Sequence, residues 1–387
     1  MIDTIAINLK ESEFIMQPSF YNRFSPSIEN FFTPPFQKLG AKGMIKADCN
    51  PLKAERDSGI CYPRLTMFRA VRAMGIRNFL RIEVSIPKLL YGNNFDEVDQ
   101  ADFELICKIM VERLKNFGVL VTEKRIAEAD VTAIHYSKNI ALTNYSTPSQ
   151  IIREMNKADI NLLKDTSSSN YRNSGHAFKI HTNNFEFIAY DKKEDLKKAK
   201  ISEKRAIEKF NECQISLFED NNFKKPFEVL RIEARYGNKK ELKKLFEQLN
   251  LNPVPEFRFS SLFSKELSQL ALKQEVAKIK VCHPSAMDYK FRTPKTLFSD
   301  LVVKNPDKSL STILSAVGLR ALLDEIGSTE IKSIGGRKPS EWYKFKQKMQ
   351  KMVYTPRTTG CFELIEQGLE VFRPLKLGGF KLDEKNL

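Results

Sequence analysis

Alternation of apolar and polar residues predicts β-strands through the first 240 residues of the chain. The clearest case is FEVLRIEARY at 227–236, where every second side chain is apolar. The predicted strands are 2–9, 64–73, 78–86, 125–137 and 227–236, and 176–181 with 185–192 form a predicted hairpin. Pro87 is expected to end the third strand, because proline cannot donate a backbone hydrogen bond.

Helical spacing of apolar residues predicts a different organisation after residue 237. A helix is predicted earlier over Asp99–Phe117, and Thr147 followed by Pro148 is typical of a helix start. The stretch 193–210 predicts a charged helix, and 238–349 is mostly helical. We therefore predict an α+β fold: an antiparallel sheet with flanking helices over 1–250, followed by a smaller, mostly helical domain over 251–387.

The amino-acid composition indicates what kind of molecule the protein binds. Sixty-three Lys and Arg against forty-eight Asp and Glu leave a net charge of +15, which favours polyanions such as nucleic acid. A lysine-rich host proteome is the alternative explanation. No apolar run reaches the roughly 18–20 residues of a membrane span, and the N-terminus lacks a signal-peptide pattern. Six scattered cysteines without a CxxC pair indicate reduced thiols, so we expect a cytoplasmic protein without a membrane partner.

The strands have polar faces whose reverse sides are apolar. Successive side chains of a strand point to opposite faces, so polar residues at alternate positions share one face. If the strands pair, one surface gathers Glu83, Asp130, Tyr190, Lys192, Arg231, Glu233 and Arg235. The alternative is the ordinary solvated face of an antiparallel sheet.

This mixture of side chains suits phosphoryl transfer. Carboxylate oxygens select Mg²⁺ or Mn²⁺, and such a cation neutralises the non-bridging phosphate oxygens. A tyrosine can attack the phosphorus and form a phosphotyrosyl ester that conserves the bond energy for rejoining. Tyr190 is the candidate, although its ordinary pKa near 10 requires an environment that favours the phenolate.

Five segments resemble the gene II replication initiators of filamentous bacteriophages, which nick DNA in rolling-circle replication. The segments are MID at the N-terminus, RIEVSIPKLLYGNN at 81–94, ADVT at 129–132, FIAYDKK at 187–193 and LRIEARYG at 230–237. Their order and approximate spacing agree over residues 1–240, and the remainder is only loosely similar. The resemblance implies nicking of one strand at a double-stranded origin, 5′-phosphotyrosyl attachment, displacement of the strand by host helicase and polymerase, and closure of the circle.

Carried over by position, the resemblance implies a site around Tyr190. Tyr190 is the implied nucleophile, Asp130 and Glu233 are implied metal ligands with Glu83 as a third, and Lys192 lies near the phosphate. The His-hydrophobic-His motif of histidine-type nicking enzymes is absent, so carboxylates would have to hold the Mg²⁺ or Mn²⁺. Tyr171, in the polar stretch 167–175, is the alternative nucleophile.

Two basic stretches are predicted to contact DNA. The stretch 192–209 follows the candidate nucleophile, and 337–357 interleaves cations with Trp342, Tyr343 and Phe345. The candidate DNA-binding residues are Lys193, Lys197, Arg231, Arg235, Arg337, Lys338, Lys344 and Lys346. The alternative for 337–357 is an amphipathic helix with its aromatic side chains in the core. The second hypothesis is a mobilisation relaxase or single-strand transposase with the same chemistry, and the third is a non-catalytic DNA-binding or replication-control protein. The origin sequence and the choice between monomers and dimers stay open.

Overall fold

An antiparallel sheet organises the chain. A computed structural model describes residues 1–32, 43–49, 52, 55, 60–72, 75–142, 147–159, 168–169, 177–195, 228–283, 293–335, 339–355 and 361–376. The described strands are β1 (Ile2–Lys10), β2 (Ile15–Met16), β3 (Gly43–Cys49), β4 (Arg64–Arg72), β5 (Gly75–Ser85), β6 (Val119–Leu120), β7 (Asp130–Leu142), β8 (Ser168–Ser169), β9 (Ala177–His181), β10 (Phe185–Asp191) and β11 (Glu228–Tyr236). Nine of them form one sheet in the order β3-β4-β5-β1-β7-β11-β10-β9-β8, and β2 pairs with β6.

Helices flank the sheet and make up most of the chain after residue 238. The described helices are α1 (Glu29–Phe32), α2 (Ile86–Tyr91), α3 (Phe103–Lys115), α4 (Glu123–Ala127), α5 (Pro148–Asn156), α6 (Lys239–Gln248), α7 (Phe259–Leu262), α8 (Lys265–Cys282), α9 (Pro294–Lys304), α10 (Leu310–Glu325), α11 (Gly327–Gly335), α12 (Pro339–Gln350) and α13 (Cys361–Val371). The α+β prediction, with an antiparallel sheet and a helical C-terminal region, is therefore confirmed. None of the described helices is both long enough and apolar enough to cross a membrane.

Most predicted elements form where their patterns indicated, and one boundary was wrong. Thr147 caps α5 by accepting a hydrogen bond from the Gln150 backbone at 3.3 Å, as the Thr-Pro pair predicted. The predicted strand over 125–137 begins too early, because Thr122 accepts a hydrogen bond from the Arg125 backbone and starts α4. The strand itself starts at Asp130 and continues to Leu142.

Most of the buried apolar side chains that the structure describes belong to two clusters. The larger one lies on the apolar face of the sheet and includes side chains of α8 and α13. There Gly368 of α13 lies so close to Ile140 of β7 that an added Cβ would be 2.7 Å from Ile140 Cγ2. The second cluster is formed by Leu297, Leu301, Ile313, Ala316, Leu319, Leu323, Met349 and Met352. The domain boundary near residue 250 stays a prediction; α8, which follows it, packs in the larger cluster.

The other face of the sheet is polar. Arg81, Glu83, His135 and Arg235 lie on it and are each half-buried. It therefore offers side chains to a ligand over several adjacent strands, while the apolar face is covered by helices. The candidate site lies on this polar face.

Candidate active site

The strand pairing brings Tyr190 to Glu233. Tyr190 of β10 lies opposite Arg231 of β11, and Ile188 lies opposite Glu233, so tyrosine and glutamate are diagonal neighbours on one face. The Tyr190 hydroxyl donates a hydrogen bond to Glu233 Oε1 at 2.7 Å. This pair is the centre of the candidate site.

Two arginines hold the Glu233 carboxylate. Arg231 Nε donates to Oε1 at 2.7 Å, and Arg235 donates to Oε2 from Nε at 2.8 Å and from Nη2 at 2.6 Å. Burial alone would raise the pKa of Glu233, but the charges of Arg235 and Arg231 and the Tyr190 hydrogen bond outweigh it, so its pKa is held well below the usual range. Glu233 is therefore a buried anion at neutral pH.

Arg231 is an interior residue, which corrects its assignment as a DNA contact. Its side chain is 1% exposed. Its five N–H groups are matched by five acceptors on Asp3, Asn94, Ser137, Asn139 and Glu233. A guanidinium has five donors, so none is left for a phosphate. Alternation predicted the correct face for Arg231 but not that Asp3 and the segment around Asn94 would cover it.

Arg235 differs from Arg231 in its exposure. About a third of its side chain is exposed (34%), and Nη1 also donates to Glu186 Oε1 at 2.7 Å. Its bonds to Glu186 and Glu233 leave N–H groups on both terminal nitrogens. Arg235 can therefore bind an anion while it holds the Glu233 carboxylate in place.

Tyr190 is half-buried and strongly favours the protonated form. Burial and the negative charge of Glu233 raise the pKa of Tyr190 well above 10. The environment that the sequence analysis required, one that stabilises the phenolate, is thus not provided by these neighbours alone. The hydrogen bond to Glu233 instead gives the phenol proton an acceptor that is held in place.

Lys192 lies below the Tyr190 ring and is fully buried. Its Nζ is 5.7 Å from the ring centroid and 3.6 Å from Asp195 Oδ2, and it has no hydrogen-bond acceptor in the described part of the chain. Burial, together with the charge of Arg231, lowers the pKa of Lys192 to about 8. Lys192 therefore titrates close to physiological pH, unlike an ordinary surface lysine.

Asp130 does not lie near Glu233. It forms an ion pair with Lys239, and its side chain is half-exposed. Asp130 is seven residues along β7 from Ser137, the register partner of Glu233. At about 3.3 Å per residue this separation is roughly 23 Å. Asp130 and Glu233 therefore cannot be ligands of one metal ion in this structure.

Glu83 is also remote from the pair. Its carboxylate lies 3.4 Å from Arg81 Nη2 on β5, and β1 and β7 stand between β5 and β11. Three strand spacings separate Glu83 from Glu233 by about 14 Å across the sheet, besides an offset along the strands. The prediction that Glu83, Asp130 and Glu233 bind one metal ion is thus wrong. Residues on the same face of a sheet can still lie far apart, both across the strands and along them. Among the described residues, no three His, Cys, Asp or Glu side chains are grouped so that they could hold a metal.

The predicted DNA-binding residues of 192–209 and 337–357 are only partly described. Lys193 lies 3.9 Å from Glu228 at the start of β11, and Lys344 is exposed on α12. Tyr171, Lys197, Arg337, Lys338 and the side chain of Lys346 lie outside the described residues.

The aromatic residues of α12 do not all face solvent. Trp342 and Phe345 pack against the second cluster, as expected for an amphipathic helix, and Tyr343 is 57% exposed. Only Tyr343, beside Lys344, is available for stacking on a base in the described part of this helix.

Several residues of the site were missed by the sequence analysis. Asp3, Ser137 and Asn139 bind Arg231, and His135 lies opposite Arg235 on the same face. Burial and the charge of Arg235 lower the pKa of His135, so it is neutral at pH 7. The alternation of β7 put His135, Ser137 and Asn139 on one face, a signal that could have found them.

Comparison with known proteins assigns neither a family nor a function to the chain. No protein-family model, no curated protein and no solved structure matches the chain. The resemblance to the gene II initiators therefore stays an expectation that rests on the motifs.

Proposed function

We propose that the protein nicks and rejoins one DNA strand, with Tyr190 as the nucleophile. The observation that carries the proposal is the 2.7 Å hydrogen bond from the Tyr190 hydroxyl to Glu233. A tyrosine nucleophile has to be held in one orientation, and a carboxylate that stays anionic does this by accepting the hydrogen bond of its hydroxyl. The +15 net charge supports a polyanionic substrate.

The proposed cleavage is an in-line displacement at phosphorus. The Tyr190 oxygen forms a bond to phosphorus while the bond from phosphorus to the 3′-oxygen breaks. Glu233 Oε1 orients the hydroxyl by accepting its hydrogen bond, the phenol proton leaves to solvent as the bond to phosphorus forms, and the departing 3′-oxygen takes a proton from solvent. The product is a 5′-phosphotyrosyl ester, and attack by a 3′-hydroxyl reverses the reaction and joins the strand.

Arg235 supplies positive charge for the phosphate in this proposal. It is partly exposed, whereas Arg231 only orients Glu233 from the interior. Fixed cations that face the oxygens of a transferring phosphoryl group stabilise the charge that develops there. The resemblance implies Mg²⁺ or Mn²⁺ as well, but the expected ligands do not converge, so no step is assigned to a metal.

The biological setting follows from the resemblance. The proposed substrate is a double-stranded origin with its displaced single strand, and host helicase and polymerase extend the nicked DNA in the bacterial cytoplasm. A mobilisation relaxase or single-strand transposase would use the same chemistry. Neighbouring genes distinguish these settings, because coat and assembly genes accompany a phage and mobilisation genes a plasmid.

One observation favours a second candidate, a non-catalytic DNA-binding protein. The hydrogen bonds of Glu233, Arg231 and Tyr190 satisfy one another, as in a cluster that only stabilises a sheet. In such a protein the raised pKa of Tyr190 has no chemical consequence. The two candidates differ in whether the hydroxyl of Tyr190 reacts.

The experiment compares Tyr190→Phe with the wild type on supercoiled DNA of the replicon that carries this gene. We expect the wild type with Mg²⁺ or Mn²⁺ to nick the DNA and to give a protein–DNA adduct on a denaturing gel, with mapped 5′ ends. Tyr190→Phe should bind the DNA but give neither product, and Tyr343→Phe, at an exposed tyrosine, should behave as wild type. An adduct that persists in Tyr190→Phe overturns the nucleophile assignment. A wild type that binds but never cleaves supports the non-catalytic candidate, and full cleavage in excess chelator excludes the metal.

A further inference from the structure

Two phenylalanines stack on each other on the polar face of the sheet. Phe68 of β4 and Phe79 of β5 are register partners, and their ring centroids are 4.9 Å apart with an interplanar angle of 11°. Leu80, the next residue, is buried in the larger apolar cluster, so Phe79 lies on the opposite, polar face. Both rings are half-buried, and neither belongs to the two clusters that the described apolar residues form. This pair, the phenylalanine stack, therefore presents aromatic surface among polar neighbours.

Lysines lie on both sides of the phenylalanine stack. Lys10 of β1 is the register partner of Phe79, and Lys46 of β3 is the register partner of Phe68. Register partners in an antiparallel sheet share a face, so a row of Lys, Phe, Phe and Lys crosses four adjacent strands. The two lysine side chains are 80% and 66% exposed. Both cations are thus open to a ligand that covers the rings.

Further positive charge lies along β5. Arg77 and Arg81 are two residues before and after Phe79 and share its face. Arg77 is exposed, and the side chain of Arg81 is 33% exposed. The two lysines have only distant carboxylate partners, Glu13 at 3.9 Å and Asp48 at 3.5 Å. Exposed ion pairs of this kind contribute little free energy, so a phosphate can replace the carboxylates.

We propose that the phenylalanine stack binds unpaired bases of single-stranded DNA, with the flanking lysines and arginines on its phosphates. Proteins that bind single strands combine aromatic side chains, on which bases stack, with cations that follow the backbone. Duplex DNA does not fit in this way, because its bases are stacked on one another and are not reached without being turned out. The choice of DNA over RNA rests on the proposed nicking function.

The phenylalanine stack is remote from Tyr190. Lys10, beside the stack, lies two residues beyond Asn8, which pairs with Asp130. Asp130 is already roughly 23 Å along β7 from the register partner of Glu233. Four strand spacings, about 19 Å, also separate β5 from β10. The stack therefore holds a part of the unpaired strand away from the cleaved bond, and its binding can be tested without cleavage.

Fluorescence anisotropy of a labelled oligothymidylate, titrated with the full chain, tests the proposal. We expect Phe68→Leu and Phe79→Leu each to weaken binding by about ten-fold, because a base loses its stacking partner. Thermal unfolding shows that the variants fold, since leucine keeps an apolar side chain. The matched control is Phe103→Leu, at a partly buried phenylalanine of α3 that packs on the larger cluster, which should bind as wild type does. Tyr190→Phe should also bind as wild type does.

The salt dependence of binding tests the cations separately. Lys10→Gln and Lys46→Gln should each lower the slope of log affinity against log salt concentration by about 0.7, the value for one phosphate contact on a single strand. Both positions are exposed, so the fold is retained. Lys108→Gln, at an exposed lysine of α3, is the control and should leave the slope unchanged.

Three outcomes would overturn the proposal. One is a wild type that does not bind the oligothymidylate, and another is binding by the two leucine variants that is as tight as that of the wild type. The third is an equal loss of affinity in those variants for a blunt-ended duplex, because stacking on the rings requires unpaired bases. If the expected binding results are obtained but the wild type does not nick its replicon, the nicking function fails and the stack remains as the DNA site of the non-catalytic candidate.

Discussion

Tyr190 and Glu233 meet across two neighbouring strands, although 43 positions separate them in the chain. The hydroxyl donates to the same carboxylate oxygen that accepts from Arg231 Nε. The hydroxyl of the candidate nucleophile is therefore held by a carboxylate, and the neighbouring arginines keep that carboxylate negatively charged. Predictions about stability and about activity both follow from this dependence.

Glu233→Gln should destabilise the protein by about 3–5 kcal/mol, because it removes the counter-charge of a buried arginine. The measurement is urea unfolding at pH 7 followed by circular dichroism. Glu83→Gln is the control, since Glu83 is half-exposed and its one ion pair among the described residues is with Arg81, and its effect should stay within about 0.5 kcal/mol. Equal effects of the two substitutions would refute the buried network.

The free energy of unfolding should depend on pH through the ionisation of Glu233. The pKa of Glu233 is depressed in the folded protein, so its stabilisation is complete above the unfolded-state value near 4.3 and is lost as the pH falls below it. Wild type should therefore lose more stability than Glu233→Gln between about pH 5 and pH 2. Parallel acid-denaturation curves for the two proteins would contradict this.

Lys192 should change the free energy of unfolding at alkaline pH, whereas Glu233 changes it at acidic pH. Its folded pKa of about 8 is below the ordinary 10.5, so the folded state binds fewer protons and its stability rises as the pH increases through 8. Lys192→Met should be more stable than wild type by about 3 kcal/mol below pH 8, and the difference should shrink towards pH 10. Thermal unfolding of both proteins from pH 7 to pH 9.5 measures it. A difference that is constant with pH would show that Lys192 is not titrating near 8.

Gly368→Ala should loosen the packing of α13 on the sheet. The new Cβ would lie 2.7 Å from Ile140 Cγ2, and overpacking of this kind costs about 1–3 kcal/mol. Gly335→Ala is the matched control, because no atom of the described residues lies within 4 Å of its Cβ position, and should stay within about 0.5 kcal/mol. Differential scanning calorimetry compares them, and equal Tm values would contradict the close contact.

Residues around Tyr190 and residues distant from it should differ in their effects on cleavage. Arg235→Gln should lower the single-turnover rate of adduct formation by on the order of 10²-fold, as expected when a cation near the phosphate is lost. Asp130→Asn, about 23 Å away along β7, should leave the rate unchanged. A large loss in Asp130→Asn with normal stability would restore Asp130 as a site residue.

The sequence predicted the strands well because alternation is a local property. The strands around Ile232 and Val84 have buried apolar positions at every second residue, and both formed as expected. The strand expected from Arg125 failed at its start, because the cap at Thr122 favours a helix in the same short stretch. Its apolar positions fit either structure, and the capping residue decided between them.

The site was predictable as a face but not as a set of distances. Tyr190, Glu233 and Arg235 were expected on one polar surface, and the structure brings them together. Asp130 and Glu83 lie on the same face as Glu233 but far from it. Their distances from Glu233 depend on the strand register and on the strand order β5-β1-β7-β11. Strand order is set by contacts between distant parts of the chain. The spacing of residues in a single sequence carries no information about these contacts.

The position of β7 in the sheet has a consequence for synthesis of the chain on the ribosome. β7 pairs with β1 on one side and with β11 on the other. The half of the sheet from β3 to β7 can assemble once residue 142 has emerged, but β7 keeps one edge unpaired until Glu228–Tyr236 follows. Pairing between such distant segments is slow, so the edge of β7 is open to pairing with other chains during this interval. Glu233 therefore reaches Tyr190 only after β11 has been synthesised and has paired with β10.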